Sequence, residues 1–225
     1  MLHLVATPIG DTTEITLRAL EIIKSADIIL CESTKEASKL LKVHGIKALR
    51  YEVLNEHTTI DELNDLIVLC RENKVALVSD CGTPGFCDPG NNLIKLLRKE
   101  KIEIKSVLGA SALMGLLSLS SVRLYQFLFR GFLPAENESR AAEWAKLKTE
   151  KNAFIIMDTP YRLKKTIEEC VQNIGARDIL LAINLSQPDE CVLEGRPSYI
   201  AQNLKFDKAE FMLLIYPLES SPVKK

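Results

Sequence analysis

Most of the signatures that betray a reaction type are missing from this sequence. There is no G-x-G-x-x-G after the first apolar run and no G-x-x-x-x-G-K-[ST] anywhere, which weakens dinucleotide and P-loop readings. Histidines number only three, His3, His44 and His57, and neither Cys81 nor Cys87 has a histidine or cysteine at metal-ligand or catalytic spacing. No metal site is expected, and no activated nucleophile. The six cysteines form no C-x-x-C pair, and several sit in apolar runs, which reads as reduced, buried thiols of a cytoplasmic protein. No apolar run approaches about 18 residues, so no membrane span is expected, and Leu2–Ile9 is too short and lacks the basic leader of a secretory signal. Charge of one sign is also lacking: the formal net charge is −1, so nothing in the balance announces a nucleic-acid binder, although a local basic face stays open. Internal repeats and low-complexity stretches are absent too.

What is present is regular alternation. Leu2–Ala6, Asp27–Glu32, Leu49–Leu54, Val75–Asp80 and Ile102–Leu108 read as strands. Helices between them carry apolar residues at helical spacing: Leu17, Leu20 and Ile23; a segment from Thr34 to His44 stopped by Gly45; then Leu63, Leu66, Ile67 and Cys70. After the fourth strand comes a loop with three glycines and two prolines, Asp80-Cys-Gly-Thr-Pro-Gly-Phe-Cys-Asp-Pro-Gly90. There Asp88 reads as a helix cap and Pro89 as the first helical residue, ahead of Leu93, Leu96 and Leu97. The alternation loosens between Gly109 and Ser121, so two α/β domains are expected, 1–110 with a parallel sheet and 111–225. The second holds a helix with Leu113, Leu116 and Leu117, a strand at Tyr125–Phe132, and a lysine- and glutamate-rich helix near Glu138–Glu150 that reads as a solvated face. A strand at Asn152–Thr159, a helix marked by Leu163, Ile167, Cys170 and Val171, and strands at Asp178–Leu185, Cys191–Arg196 and Glu210–Tyr216 follow. A short helix lies near Ser198–Leu204, and the tail from Glu219 reads as frayed.

Parallel strands joined by right-handed crossovers put all their carboxyl ends on one edge, where ligands of open α/β sheets bind. Five segments then converge: Thr7-Pro8-Ile9-Gly10, Glu32-Ser33-Thr34, Asn55-Glu56, Asp80-Cys81-Gly82-Thr83 and Gly109-Ala110-Ser111. Each has a plain alternative, since Thr34 and Ser111 suit helix caps and Glu32, Glu56 and Asp80 suit solvated strand ends. Together they give carboxylates, hydroxyls and flexible backbone around one cleft. That inventory favours binding and orienting a small molecule, with one carboxylate as base.

Several stretches in register, Val5-Ala-Thr-Pro-Ile-Gly10, Val78-Ser-Asp-Cys-Gly-Thr-Pro84, Asp88-Pro-Gly90, Gly131-Phe-Leu-Pro134 and Thr159-Pro-Tyr-Arg-Leu163, resemble the tetrapyrrole methylase family. They are most similar to its branch that methylates the ribose 2′-hydroxyl of a cytidine in small-subunit (16S) ribosomal RNA. The resemblance runs from about Leu2 to Tyr216. It implies two α/β domains with S-adenosylmethionine held in a cleft between them, and a homodimer. It places Pro8, Asp80, Gly82, Thr83, Phe86, Ser111 and Ala112 at the cofactor, with Leu163 and Leu185 from the second domain. Methyl transfer from a sulfonium needs orientation, oxygens near the methyl and dryness, but no metal; a ribose hydroxyl adds the need for a base. Glu56 and Glu32 are the candidates, with Asn55 orienting.

Departures from that branch touch the substrate side more than the cofactor side. Its usual Glu-Asp-Thr-Arg stands here as Glu32-Ser33-Thr34-Lys35, its His-Asn-Glu as Leu54-Asn55-Glu56, and its Pro-Gly-Pro-Ser-Ala as Leu108-Gly109-Ala110-Ser111-Ala112. An Arg-Glu-Leu-Thr-Lys segment corresponds to Ile183-Asn184-Leu185-Ser186-Gln187, so two basic residues are gone. Three readings follow: an RNA ribose methyltransferase, a methyltransferase of another, small-molecule substrate, and a non-catalytic S-adenosylmethionine-binding protein. Lys35, Lys39, Arg130 and Arg162, if clustered by the cleft, would favour the RNA.

Overall fold

The computed structural model describes residues 1–218; the tail from Glu219 lies outside the described residues. The chain divides into two compact units, Met1–Ser111 and Ala112–Lys225.

In the first unit, strands β1 (Leu2–Val5), β2 (Ile28–Cys31), β3 (Tyr51–Val53), β4 (Val75–Val78) and β5 (Ile104–Val107) form one sheet in the order β3-β2-β4-β1-β5. Every pairing in it is parallel. Helices cover both faces, as buried parallel strands require. Strand residues alternate between the faces: Leu2, Ile28, Leu30, Val75 and Leu77 pack with α3 (Ile60–Glu72) and α4 (Asn91–Lys99). Val5, Ile29, Cys31, Ala76 and Val78 pack with α1 (Leu17–Ser25) and α2 (Thr34–Val43) on the other side. The four buried residues of α3 are the expected stripe, Leu63, Leu66, Ile67 and Cys70. Helix α1 differs from expectation. A 3-10 turn at Thr12–Glu14 precedes it, and its first turn faces outward, so Leu17 is exposed while Ala19 and Ile23 carry the packing. Helix α4 differs as well: it begins two residues after Pro89, capped by Gly90 with no side-chain bond, so Asp88 is not its cap.

The second unit holds β6 (Phe127–Phe132), β7 (Ala153–Met157), β8 (Ile179–Ile183), β9 (Cys191–Gly195) and β10 (Phe211–Ile215) in the order β6-β7-β10-β8-β9. Only β6 and β7 pair parallel; the other three pairings are antiparallel. Helices α6 (Asn137–Leu147), α7 (Leu163–Ile174) and α8 (Pro197–Asn203) contribute to the apolar cluster on one face, and α5 (Ala112–Ser118) packs its Leu116 on the other.

Helix α6 corrects the solvated-face reading. Arg140, Trp144 and Leu147 are buried, and Arg140 is 2% exposed. Its guanidinium meets Asp158 Oδ2 at 2.6 Å and Glu169 Oε2 at 2.7 Å, and also donates to Thr166 Oγ1 and the Pro134 carbonyl. Trp144 Nε1 donates to the same Glu169 oxygen at 3.0 Å, and Thr166 Oγ1 donates to Asp158. A buried cation is tolerable only when so fully paired. The cysteines need correction too: Cys31, Cys70 and Cys170 are buried, but Cys81 and Cys87 are exposed and Cys191 is half-buried. Among the described residues no two are joined by a disulfide, and no helix is long and apolar enough to cross a membrane.

Removing one partner of such a pair strands the others. Arg140→Ala is expected to lower the unfolding free energy by about 3–5 kcal/mol. Lys146→Ala, on the exposed side of the same helix, should stay within about 0.5 kcal/mol of wild type. Urea unfolding of the three proteins measures the contrast.

Candidate functional site

The carboxyl edge of the parallel sheet is laced shut around one carbonyl. Gly82, in the loop after β4, turns back with φ +79°, a conformation that only glycine adopts without strain. Its oxygen accepts from Thr7 N at 2.8 Å, Ser79 Oγ at 2.9 Å and Thr7 Oγ1 at 3.3 Å. Thr7 Oγ1 also lies 3.1 Å from the Ser79 carbonyl. These bonds tie the end of β1 to the loop after β4. Thr83 Oγ1 donates to the Ala110 carbonyl at 3.1 Å, which ties in the loop after β5. Gly109 completes the junction, because a Cβ there would stand 2.9 Å from Ala6 Cβ. Backbone is thus fixed at three adjacent strand ends.

Two cavities open on this edge. One, of about 200 Å³, is lined by Pro8, Ile9, Gly10, Asp80 and Cys81 together with Glu36, Lys39 and Leu40 of α2. The other, of about 320 Å³, is lined by Asn55, Glu56 and Thr58 after β3 and by Cys87 to Asn92 across from them. Carboxylates crowd here. Burial raises the pKa of Glu32, and the charges of Asp80, Asp88 and Glu56 raise it further. Burial raises that of Asp80 too, against a hydrogen bond from the Ser33 backbone that lowers it, and Asp88 is raised by burial and then by Asp80. Two of the nearby thiols are disfavoured as nucleophiles at neutral pH: burial pushes Cys31 up to about 11, and Cys87 is raised by burial and by Asp88. Among the described residues no group of three or more His, Cys, Asp or Glu is placed to hold a metal.

The residues singled out in the sequence fall into distinct settings. Pro8 and Asp80 share the smaller cavity, and Asn55 and Glu56 the larger. Asn55 Oδ1 accepts from His57 N at 2.9 Å while Thr58 Oγ1 accepts from Asn55 N, so Asn55 builds the turn that presents Glu56. The Glu56 side chain is 80% exposed, with His57 Nε2 at 3.5 Å. Gly82 and Thr83 belong to the laced loop, and Phe86 is 56% exposed beyond it. Ser33, not Thr34, caps α2, accepting from Glu36 N at 3.3 Å. Ser111 ends the first unit, half-buried, and Ala112 opens α5 in the second.

In the second unit, Leu163 is fully buried in the core, so its side chain is committed to packing. Leu185 lies partly buried against the α5 cluster, its Cδ1 3.5 Å from where a Cβ on Gly115 would stand. Of the four cations named from sequence, Lys39 pairs with Glu36, Arg130 with Glu143 and Arg162 with Asp158, while Lys35 is exposed on α2. Two residues take roles the sequence does not assign them: Asp88 is free of the helix cap, which Gly90 fills, and Thr7, within the converging segment Thr7-Pro8-Ile9-Gly10, pins the neighbouring loop through its hydroxyl.

Comparison with known proteins agrees with this arrangement. Residues 1–200 match the model for tetrapyrrole (corrin/porphyrin) methylases. The chain belongs to that family. It is 33% identical to the ribosomal RNA small subunit methyltransferase I of Neisseria meningitidis serogroup B, over 97% of this chain and 76% of that one. It is 37% identical to the protein of the same name from Rickettsia prowazekii, over 95% and 77%, and 32% identical to that from Leptospira biflexa, over 96% and 90%. Solved structures extend the likeness at the level of fold. Diphthine synthase superposes with a TM-score of 0.70 at 14% identity, covering 96% of this chain and 90% of its own. Uroporphyrin-III-C-methyltransferase from Thermus thermophilus does so at 0.64 and 18%, covering 96% and 93%.

The crowded carboxylates carry a pH prediction. A carboxyl with a raised pKa holds its proton more tightly in the folded state, so its charge opposes folding at pH 7. That opposition disappears as pH falls below the unfolded value, about 4 for Asp. Asp88→Asn should therefore be more stable than wild type at pH 7, with the advantage shrinking to nothing near pH 4. Denaturant midpoints taken across that range check the sign.

Proposed function

We propose that this protein is an S-adenosylmethionine-dependent methyltransferase that modifies the ribose 2′-hydroxyl of a cytidine in small-subunit ribosomal RNA, and that it acts as a homodimer. The observation that carries the reading is the end-to-end similarity to ribosomal RNA small subunit methyltransferases I. The strand-edge geometry supports it. A site for this donor must accept a nucleoside and a cation, and the residues present suit both. Backbone at the exposed Thr83, fixed by its bond to Ala110, offers polar groups, Phe86 offers an exposed ring, and Asp80, Asp88 and Glu32 crowd negative charge that a cation relieves.

When bound, S-adenosylmethionine supplies a methyl group carried on a sulfonium. The chain's own task is to align the acceptor oxygen, exclude water and take a proton. Pro8, Asp80, Gly82, Thr83, Phe86 and Ser111 are proposed to hold the donor, with Ala112, Leu163 and Leu185 contributing from the second unit, Leu163 through its backbone. Glu32 is proposed as the base that accepts the 2′-hydroxyl proton, since a raised pKa makes a carboxylate a better acceptor at neutral pH. Glu56, held out on the turn that Asn55 builds, is the second candidate.

Calorimetric titration with S-adenosylmethionine and its demethylated product, followed by methyl incorporation into small ribosomal subunits, tests the reading. Saturable binding and incorporation are expected, and absence of binding by folded protein would overturn it. Binding without incorporation would favour a different methyl acceptor, the alternative that the missing basic residues in Ile183–Gln187 suggest. Glu32→Gln should lower kcat by about 10²–10⁴-fold with little change in donor affinity. If Glu56→Gln shows that loss and Glu32→Gln does not, the base is Glu56.

A further inference from the structure

The turn after β7 assembles groups that the donor side does not use. Pro160–Arg162 forms a 3-10 turn whose base is Asp158, buried against Arg140 and Thr166. The turn is therefore mounted rigidly. Its tip, Tyr161, is 77% exposed, yet the Lys208 ammonium lies over its ring, 3.8 Å from the centroid. Cations converge on the same turn from three elements. Arg162 sits 3.5 Å from Asp158 Oδ1 and donates to the Ala135 carbonyl. Lys164, at the start of α7, pairs with Asp207 from the loop before β10, and Lys165 donates to Asn137 Oδ1 at 3.1 Å. Arg140 faces two carboxylates, Asp158 and Glu169, so Arg162 completes their charge balance, while Asp207 pairs with Lys164 and no ion pair engages Lys208 among the described residues.

An exposed tyrosine adds little to a fold, and a surface cation–π contact contributes only about 0.5–1 kcal/mol. Holding such a ring at the tip of a fixed turn makes physical sense as a contact surface. With Lys208 over one face and the residue so exposed, the opposite face is open. A flat apolar ring ringed by cations matches the chemistry of an unpaired base and its flanking phosphates.

We propose that Tyr161 is a stacking platform for an unpaired base of single-stranded RNA, with Lys208 and Lys164 steering the adjoining phosphates. The proposal rests on the ribosomal RNA reading above and names the part of this chain that grips the substrate. Tyr161 is a positioning residue, and the donor site does not involve it.

The test compares wild type with Tyr161→Ala, Tyr161→Phe and Lys208→Ala. Readouts are methyl transfer to small ribosomal subunits, binding of a labelled single-stranded RNA oligonucleotide, and calorimetric binding of S-adenosylmethionine. Tyr161→Ala should raise KM for the subunits about tenfold or more and weaken oligonucleotide binding alike, with donor affinity unchanged. Tyr161→Phe should restore both, since the ring rather than the hydroxyl stacks. Lys208→Ala should weaken RNA binding and flatten its salt dependence. Oligonucleotide binding by Tyr161→Ala equal to wild type, or Tyr161→Phe as impaired as Tyr161→Ala, overturns the proposal. Should wild type bind the oligonucleotide through Tyr161 yet transfer no methyl to subunits, the platform stands and the ribosomal RNA reading falls.

Discussion

The second unit hangs on the buried Arg140 guanidinium. It reaches from α6 to the carboxylate at the end of β7 and to Glu169 on α7, and it binds the Pro134 carbonyl after β6. One side chain thus fixes where two helices and two strand ends meet. Ion pairs at this depth stabilise little in net terms, because desolvation cancels most of the attraction; what they impose is a single arrangement. Hydrophobic packing of Trp144, Leu147, Leu163 and Ile167 would tolerate small slips of α6 over α7. The forked hydrogen bonds to Glu169 would not. The turn beginning at Pro160 inherits that precision.

The first unit solves a different problem at its carboxyl edge. There backbone and short polar side chains, rather than apolar packing, close the junction between strand ends. Thr7, Ser79 and Gly82 close a small hydrogen-bond cycle that leaves the surrounding loop rigid without packing it. Around that cycle the structure accumulates carboxylates whose ionisation burial and mutual repulsion oppose. A fold selected for stability alone would not gather them. Crowding of this kind at strand ends accords with the cationic donor proposed above.

The period of the strands and of α3 was plain in the sequence, because a fully buried parallel sheet leaves long apolar runs and a buried helix leaves its stripe. The gathering of five strand ends followed from topology alone. The edge contributions of individual side chains were harder to read. Asp88-Pro89 has the composition of a helix start, but the loop needed two more residues before the chain could turn, and Gly90 with φ +142° took the cap. Helix α6 misled for a stronger reason: its charged composition suits a solvated face, and the partners that bury Arg140, Asp158 and Glu169, lie 18 and 29 residues further on. Charge pairing across such separations leaves no local periodicity. For Leu163 the apolar side chain itself argued for the core, and position in the motif argued for the donor; packing claimed the side chain.

The loop after β8 covers the segment where the family resemblance implies two basic residues that this chain lacks. Asn184 and Ser186 both adopt positive φ, at +47° and +62°, costly for residues other than glycine. The conformation is bought by hydrogen bonds: Asn184 Nδ2 donates to Asp189 at 2.7 Å and its Oδ1 accepts from Glu210 N, while Ser186 N donates to Glu190 at 2.6 Å. A loop that had merely lost its function would relax into an ordinary turn. This one keeps a strained shape stabilised by acidic neighbours. Positive charge has instead gathered at the end of β7, where β7 and β8 run in the same direction because each pairs antiparallel with β10. The two loops therefore share one edge of the sheet. Basic charge given up at one strand end is present at another of that edge, so an acidic loop beside it is compatible with an anionic substrate.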